Sequence, residues 1–159
     1  MWNRPTVCAF FMSVINLARK LTPPRRNAPP EAAYVVPTPV LLMRTYWKYD
    51  ASLRTLEAWE PDCWTQVTCP TPDDEEFLIE ELHVPDYFLD DIRDKDERSR
   101  YEYDEGWSLI ILRIPYIREV ASRTPHTTIP LGIIMNKGVC ITVCNFETNM
   151  MIDFVSYQQ

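Results

Sequence analysis

Apolar residues in the middle of the chain recur first at helical spacing and then in the alternations and continuous runs of strands. Between Pro85 and Asp94, Phe88, Leu89 and Ile92 fall on one side of a helix, because neighbours three and four apart share a face. Asp90, Asp91 and Asp94 lie off that stripe and face outward. A preceding helix is predicted from Thr71 to about Leu82, with Phe77, Leu78, Ile79 and Leu82 turned inward. Thr71 is its N-cap and Pro72 its first residue, with Asp73 and Asp74 in the first turn, where the helix dipole favours acids. Val84-Pro85 separates the two helices.

Strand patterns account for most of the rest. Arg44–Tyr49 has the aromatic and β-branched make-up of a first strand, and Cys63–Cys69 alternates Trp64, Gln66 and Thr68 with Thr65, Val67 and Cys69. Strands near Arg100–Tyr103 and Trp107–Ile117 are separated by Asp104-Glu105-Gly106. Thr127–Met135 and Val139–Phe146 flank Asn136-Lys137-Gly138, a hairpin loop in which glycine takes the positive φ. Leu109–Leu112 and Leu131–Met135 are almost wholly apolar, as in strands covered on both faces. Short helices are expected over Ser52–Glu60, from the spacing of Leu53, Leu56 and Trp59, and after Thr148 through Val155. Trp47, Trp59, Trp64 and Trp107 stand at packing positions. Arg113, alone in an apolar strand, is expected to snorkel or pair with an acid.

Residues 1–42 are of another kind, holding seven of the 14 prolines and no sustained period. An extended, poorly ordered segment is predicted over 22–40. Val7–Ala18 is apolar but contains Asn16 and is only about a dozen residues long, short of the ~20 that span a bilayer. Basic residues follow that run instead of preceding it, which argues against a signal peptide. Met43 reads as the natural start of the folded domain, 43–159, with 1–42 a Pro-rich basic leader; an extension that packs or binds something is the alternative. The last helix stops before any C-terminal cap, so the domain is expected to be truncated there.

With 159 residues, 46% of them hydrophobic, the chain can bury the core of one domain. Its charge is unevenly placed: residues 1–42 carry a net +4, whereas residues 73–105 carry 15 acids against Arg93, Lys95, Arg98 and Arg100, a net −11. Such a field repels phosphate backbones and favours cations or basic partners, which excludes nucleic-acid binding by the folded part. Within it, clustered carboxylates repel one another and a cation relieves the repulsion, so the Asp90, Asp91 and Asp94 face is a candidate site for a hard divalent ion. Glu97, Arg98, Arg100 and Glu102 are expected to form surface ion pairs that position the turn after it.

Cys8, Cys63, Cys69, Cys140 and Cys144 are odd in number and lack Cys-x-x-Cys spacing; they read as buried free thiols. Cys140 and Cys144, four apart in a strand, stand about 13 Å apart at ~3.3 Å per residue, too far for one zinc ion. His83 and His126 are the only histidines and are remote in sequence. With three glycines there is no phosphate-binding loop, and no Ser or Cys nucleophile motif is present, so the chain is not read as an enzyme.

Leu89-Asp90-Asp91-Ile92, then Glu97-Arg98-Ser99-Arg100-Tyr101-Glu102, then the strand from Trp107 to Arg113 resemble the cytosolic N-terminal domain of the CorA-type magnesium transporters. Those proteins carry a Leu-(Glu/Asp)-Asp-Ile/Leu helix end, a Gln-Arg-Pro-(Lys/Arg)-Val-Glu turn and a long apolar strand; here Ser99 replaces the usual Pro and Glu97 the usual Gln. The resemblance spans roughly Met43 to Gln159. It implies an α/β fold, a mixed sheet of about six or seven strands with helices on both faces. It also implies that Asp91 lies at a seam between subunits, sharing a regulatory Mg²⁺ with a carboxylate on the next protomer's stalk helix. Asp90 matches the adjacent, secondary acid.

By the same resemblance the ion is Mg²⁺ (Co²⁺ or another divalent cation being an alternative), and the intact protein is a homo-pentamer at the cytoplasmic face of the cell membrane. The stalk, the transmembrane helices and the Gly-Met-Asn pore loop are not in this sequence. The chain by itself is therefore expected to be soluble, monomeric or weakly associating, and a weak binder of Mg²⁺. The alternative is a stand-alone acidic interaction domain or truncated gene product whose 73–105 face binds a basic partner.

Overall fold

Strand alternation and a few short helical segments set the architecture. The computed structural model describes residues 44–117, 126–148 and 150–156. In it β1 (Arg44–Asp50) turns back into β2 (Ser52–Leu56), and β3 (Trp64–Thr68) leads to α1 (Pro72–Glu76), whose end widens into a π-helical turn, Phe77–Glu81. There follow α2 (Asp86–Arg93), β4 (Arg100–Asp104), β5 (Trp107–Ile117), β6 (His126–Asn136), β7 (Val139–Cys144) and α3 (Met150–Ser156). All belong to one unit, Met43–Gln159. The expectations for the Pro-rich segment, the Val7–Ala18 run and Cys8 lie outside the described residues.

The strands lie in the order β2-β1-β3-β7-β6-β5-β4. β3 and β7 are parallel and every other neighbouring pair is antiparallel, so the sheet is mixed. Register gives the sheet two different faces. On the first, Val67, Leu109, Ile111, Ile134, Ile141 and Val143 pack with Leu78 of the π turn and with Phe88, Leu89 and Ile92 of α2. On the second, the Trp64 indole donates to the Thr142 hydroxyl at 2.9 Å, Trp47 stacks on Trp64 at 6.0 Å, and Phe154 of α3 meets Trp64 edge-on at 5.6 Å. Helices cover both faces, and the fold is α/β.

The start of α1 follows its sequence signals. Thr71 Oγ1 accepts the Asp74 amide at 3.3 Å, and Asp74 Oδ2 accepts the Thr71 amide at 3.0 Å, closing a reciprocal capping box. Asp74 is buried, with Arg44 Nε 3.5 Å away and the Arg44 guanidinium lying 4.1 Å over the Phe77 ring. The π turn was not legible. It is closed by the Leu82 amide donating to the Phe77 carbonyl at 3.2 Å, and it lets both Leu78 and Leu82 face the core.

Ser52–Glu60 is not a helix. Ala51 adopts φ 64°, and the chain folds back so that Leu53 pairs with Tyr49 and Leu56 with Tyr46. The two leucines, three apart, then sit on opposite faces of an edge strand, each beside an aromatic residue. Cross-strand packing outweighs a weak helical period here.

Gly132 fixes the height of α2 above the sheet. A Cβ there would lie 2.1 Å from Cδ1 and 2.5 Å from Cγ1 of Ile92, far inside contact distance, so the helix rests directly on β6 backbone. Overpacking of this kind costs about 1–3 kcal/mol. Gly132→Ala should lower the unfolding free energy by that much, read as a lower denaturant midpoint at unchanged slope. Adding Ile92→Val, which removes Cδ1, should recover part of the loss in a double-mutant cycle.

Candidate functional site

The site is the solvent end of α2 and the loop that carries the chain into β4. Phe88, Leu89 and Ile92 are buried, which turns the intervening residues outward. Because successive residues rotate by about 100° around a helix, Asp90 and Asp91 leave it in different directions. Asp90 is 73% exposed and pairs with Arg93, which also reaches Glu75 of α1 at 2.8 Å. Asp91 is 31% exposed and points to the edge of the sheet, where its Oδ2 accepts from Arg100. Asp94 ends the helix: its side chain accepts the Asp96 amide and its carbonyl the Glu97 amide, both at 3.0 Å. The three aspartates singled out in the sequence are thus neighbours with separate partners.

Arg100 is the centre of the arrangement. Besides Asp91, it binds Glu97 at 2.5 Å and Glu102 at 3.2 Å, so one guanidinium holds three carboxylates. Partial desolvation works against its charge, but Glu102, Asp91 and Glu97 outweigh that and hold its pKa above the ordinary value. The ion pairs expected around the turn are therefore present, with Asp91 as an additional member. Arg98 instead contributes its amide, which donates to Glu97 Oε1 at 3.0 Å.

Arg113 departs from expectation. Its guanidinium donates to the carbonyls of Lys95 at 2.5 Å, Glu97 at 3.0 Å and Thr128 at 2.5 Å, and to the Thr128 hydroxyl at 3.1 Å. The partners are loop and strand carbonyls, not an acid. Residues 94–99 have no ladder of their own, and an arginine projecting from β5 satisfies their backbone acceptors. A lone arginine in an apolar strand was the available signal; which acceptors it meets depends on the loop's position over β5 and β6. At the same C-terminal end of the helix, Asn145 Nδ2 donates to the Ile92 carbonyl at 3.1 Å.

Hard carboxylate oxygens are the right donors for Mg²⁺, but an octahedral ion needs several at one point. Among the described residues no three His, Cys, Asp or Glu side chains converge to hold a metal. Asp91, Glu97 and Glu102 surround the guanidinium and converge on it, not on a metal position. The donor type is that of a hard divalent ion, but no coordination shell is assembled among the described residues. Sulfur ligation has less support: Cys63, Cys69, Cys140 and Cys144 are free thiols, and burial pushes Cys140 up to about 12 and Cys144 to about 11. Cys63 and Cys144 are buried, whereas Cys69 and Cys140 are only partly so.

The family model described as CorA-like Mg²⁺ transporter protein matches residues 62–157, a span that contains the whole α2–β4 site. The chain belongs to this family, whose members are transport proteins and not enzymes. The fold is similar to the complete CorA magnesium transporter from Methanocaldococcus jannaschii, with a TM-score of 0.60 at 19% identity over 74% of this chain and 38% of that one. The soluble domain of the same CorA gives 0.59 at 18% identity over 75% of this chain and 48% of that one. The ZntB cytoplasmic domain from Vibrio parahaemolyticus RIMD 2210633 gives 0.56 at 19% identity over 72% and 50%. At such identities the likeness is one of fold, and the chain spans half or less of each of these proteins. No curated protein matches the sequence. Among the described residues no helix is long and apolar enough to cross a membrane.

If Arg113 is what pins the 94–99 loop, Arg113→Met should free it without unfolding the sheet. A lost hydrogen bond to a charged group, worth about 1.5 kcal/mol, speeds local opening roughly tenfold. Hydrogen exchange at the 95–98 amides should accelerate by that factor while the β6–β7 amides stay protected.

Proposed function

We propose that this chain is the cytosolic ion-sensing domain of a CorA-like divalent-cation transport protein, with Asp91 the carboxylate that meets the ion. One observation carries the reading. Within the segment matched by the family model, Asp91 is turned by α2 to the rim of the sheet, one-third exposed and set among further carboxylates. The ion is Mg²⁺ by the family's description, with Co²⁺ or another divalent cation as the alternative. Asp90 is secondary: it is nearly free in solvent and turned toward Arg93.

A carboxylate of a neighbouring subunit completes the shell, in a homo-pentamer at the cytoplasmic face of the cell membrane. The sensing domain is residues 43–159, and residues 1–42 are a leader or extension outside it. Sensing then consists of two carboxylates from different subunits being held together while the ion is bound and repelling each other once it leaves.

The chain alone offers Mg²⁺ one or two exposed carboxylates, and binding should be about millimolar or weaker. In a calorimetric Mg²⁺ titration at constant ionic strength, Asp91→Asn should remove most of the residual heat and Asp90→Asn much less. Saturable micromolar binding, or an Asp91→Asn variant that binds like the parent, would contradict the reading.

A further inference from the structure

The Asp91 carboxylate already has a cation. Arg100 opens the edge strand β4 and reaches across to α2, and the oxygen it occupies, Oδ2, belongs to the residue assigned to the ion. Its other two carboxylates, Glu97 and Glu102, lie three residues before and two residues after it in the chain. Three anions around one cation leave two negative charges in excess, so the group still attracts positive charge after Arg100 is in place. The four side chains are 24–37% exposed, which gives a solvated ion access and gives the guanidinium room to shift.

Two features make an exchange of partners inexpensive. Arg100 leaving Asp91 keeps Glu97 and Glu102, so the guanidinium is never stranded without a counter-charge. Glu97 is also on the loop whose carbonyls Arg113 holds, so its end of the tether stays in place. Arg100 holds Oδ2 of Asp91. An ion at that carboxylate therefore either binds Oδ1 beside a guanidinium that repels it or displaces the guanidinium from Oδ2, and each route sets the two cations against one another.

We infer that Arg100 is a built-in competitor for the divalent ion at Asp91, holding the carboxylate when the ion is absent and setting the concentration at which it changes partner. This rests on Asp91 being an ion ligand. It adds that the threshold is a property of Arg100, tuned by Glu97 and Glu102 through their hold on the same guanidinium.

The test is Mn²⁺ binding to the full chain, counted from the free-ion electron paramagnetic resonance signal at constant ionic strength. Removing the competing charge with Arg100→Gln should tighten binding about tenfold. The double variant Arg100→Gln/Asp91→Asn should lose that gain. If Arg100→Gln has native circular dichroism and binds like the parent while Asp91→Asn weakens binding, the competitor role is overturned and the ligand assignment stands. If the double variant keeps the full gain, Asp91 is not the ligand and both readings fall. Should Arg100→Gln not fold, Arg100→Met keeps the apolar stem and is held to the same outcomes.

Discussion

The contact between Ile92 and the backbone of Gly132 fixes the arrangement on which the site depends. A helix that can touch β-strand backbone is seated at one height and one rotation, and α2 is so seated by Ile92, with Phe88 and Leu89 filling the space on either side. Rotation about the helix axis then decides which aspartate points where. Asp91 is carried toward the edge strand and Arg100, and Asp90 toward Arg93 and α1. The Asn145 side chain, bound to the Ile92 carbonyl, ties the same turn of helix to the segment after β7.

Three arginines then divide the electrostatics of a segment that carries 15 acids. Arg93 links α2 to Glu75 of α1, Arg100 gathers Asp91, Glu97 and Glu102, and Arg113 binds the carbonyls of the loop between them. Exposed ion pairs contribute about 0–1 kcal/mol each, far less than the buried apolar layer between α2 and the sheet. Their value here is positional. Burial places the helix, and the arginines decide what each carboxylate on it can meet.

Much of this was legible in the sequence where periodicity was strong. Phe88, Leu89 and Ile92 gave the helix and its outward acids, Thr71-Pro72 gave a helix start, and Asn136-Lys137-Gly138 marked the turn between two apolar strands. Asn136 itself pairs with Val139 in the ladder, which leaves a two-residue turn. The failures share a cause. β2 depends on a positive φ at Ala51 and on Tyr46 and Tyr49 across the ladder, and neither is written in Ser52–Leu56 itself. The partnership of Asp91 with Arg100 joins residues nine apart that only the seating of α2 and the start of β4 bring together. Arg113 looked like a stray charge because its partners are main-chain atoms, which a sequence does not distinguish.

Family membership and the rim position of Asp91 support the proposal of divalent-ion sensing, and in that proposal Arg100 competes with the ion for the same carboxylate. The most direct measurement follows both residues at once in the unmodified chain. Side-chain NMR would observe the Asp91 carboxyl carbon and the Arg100 Nε–H group during addition of MgCl₂, against NaCl at equal ionic strength. Coupled shifts of the two that appear with Mg²⁺ and not with Na⁺ are predicted. A Mg²⁺ response spread evenly over the exposed acids, leaving Asp91 and Arg100 unmoved, would contradict the assignment.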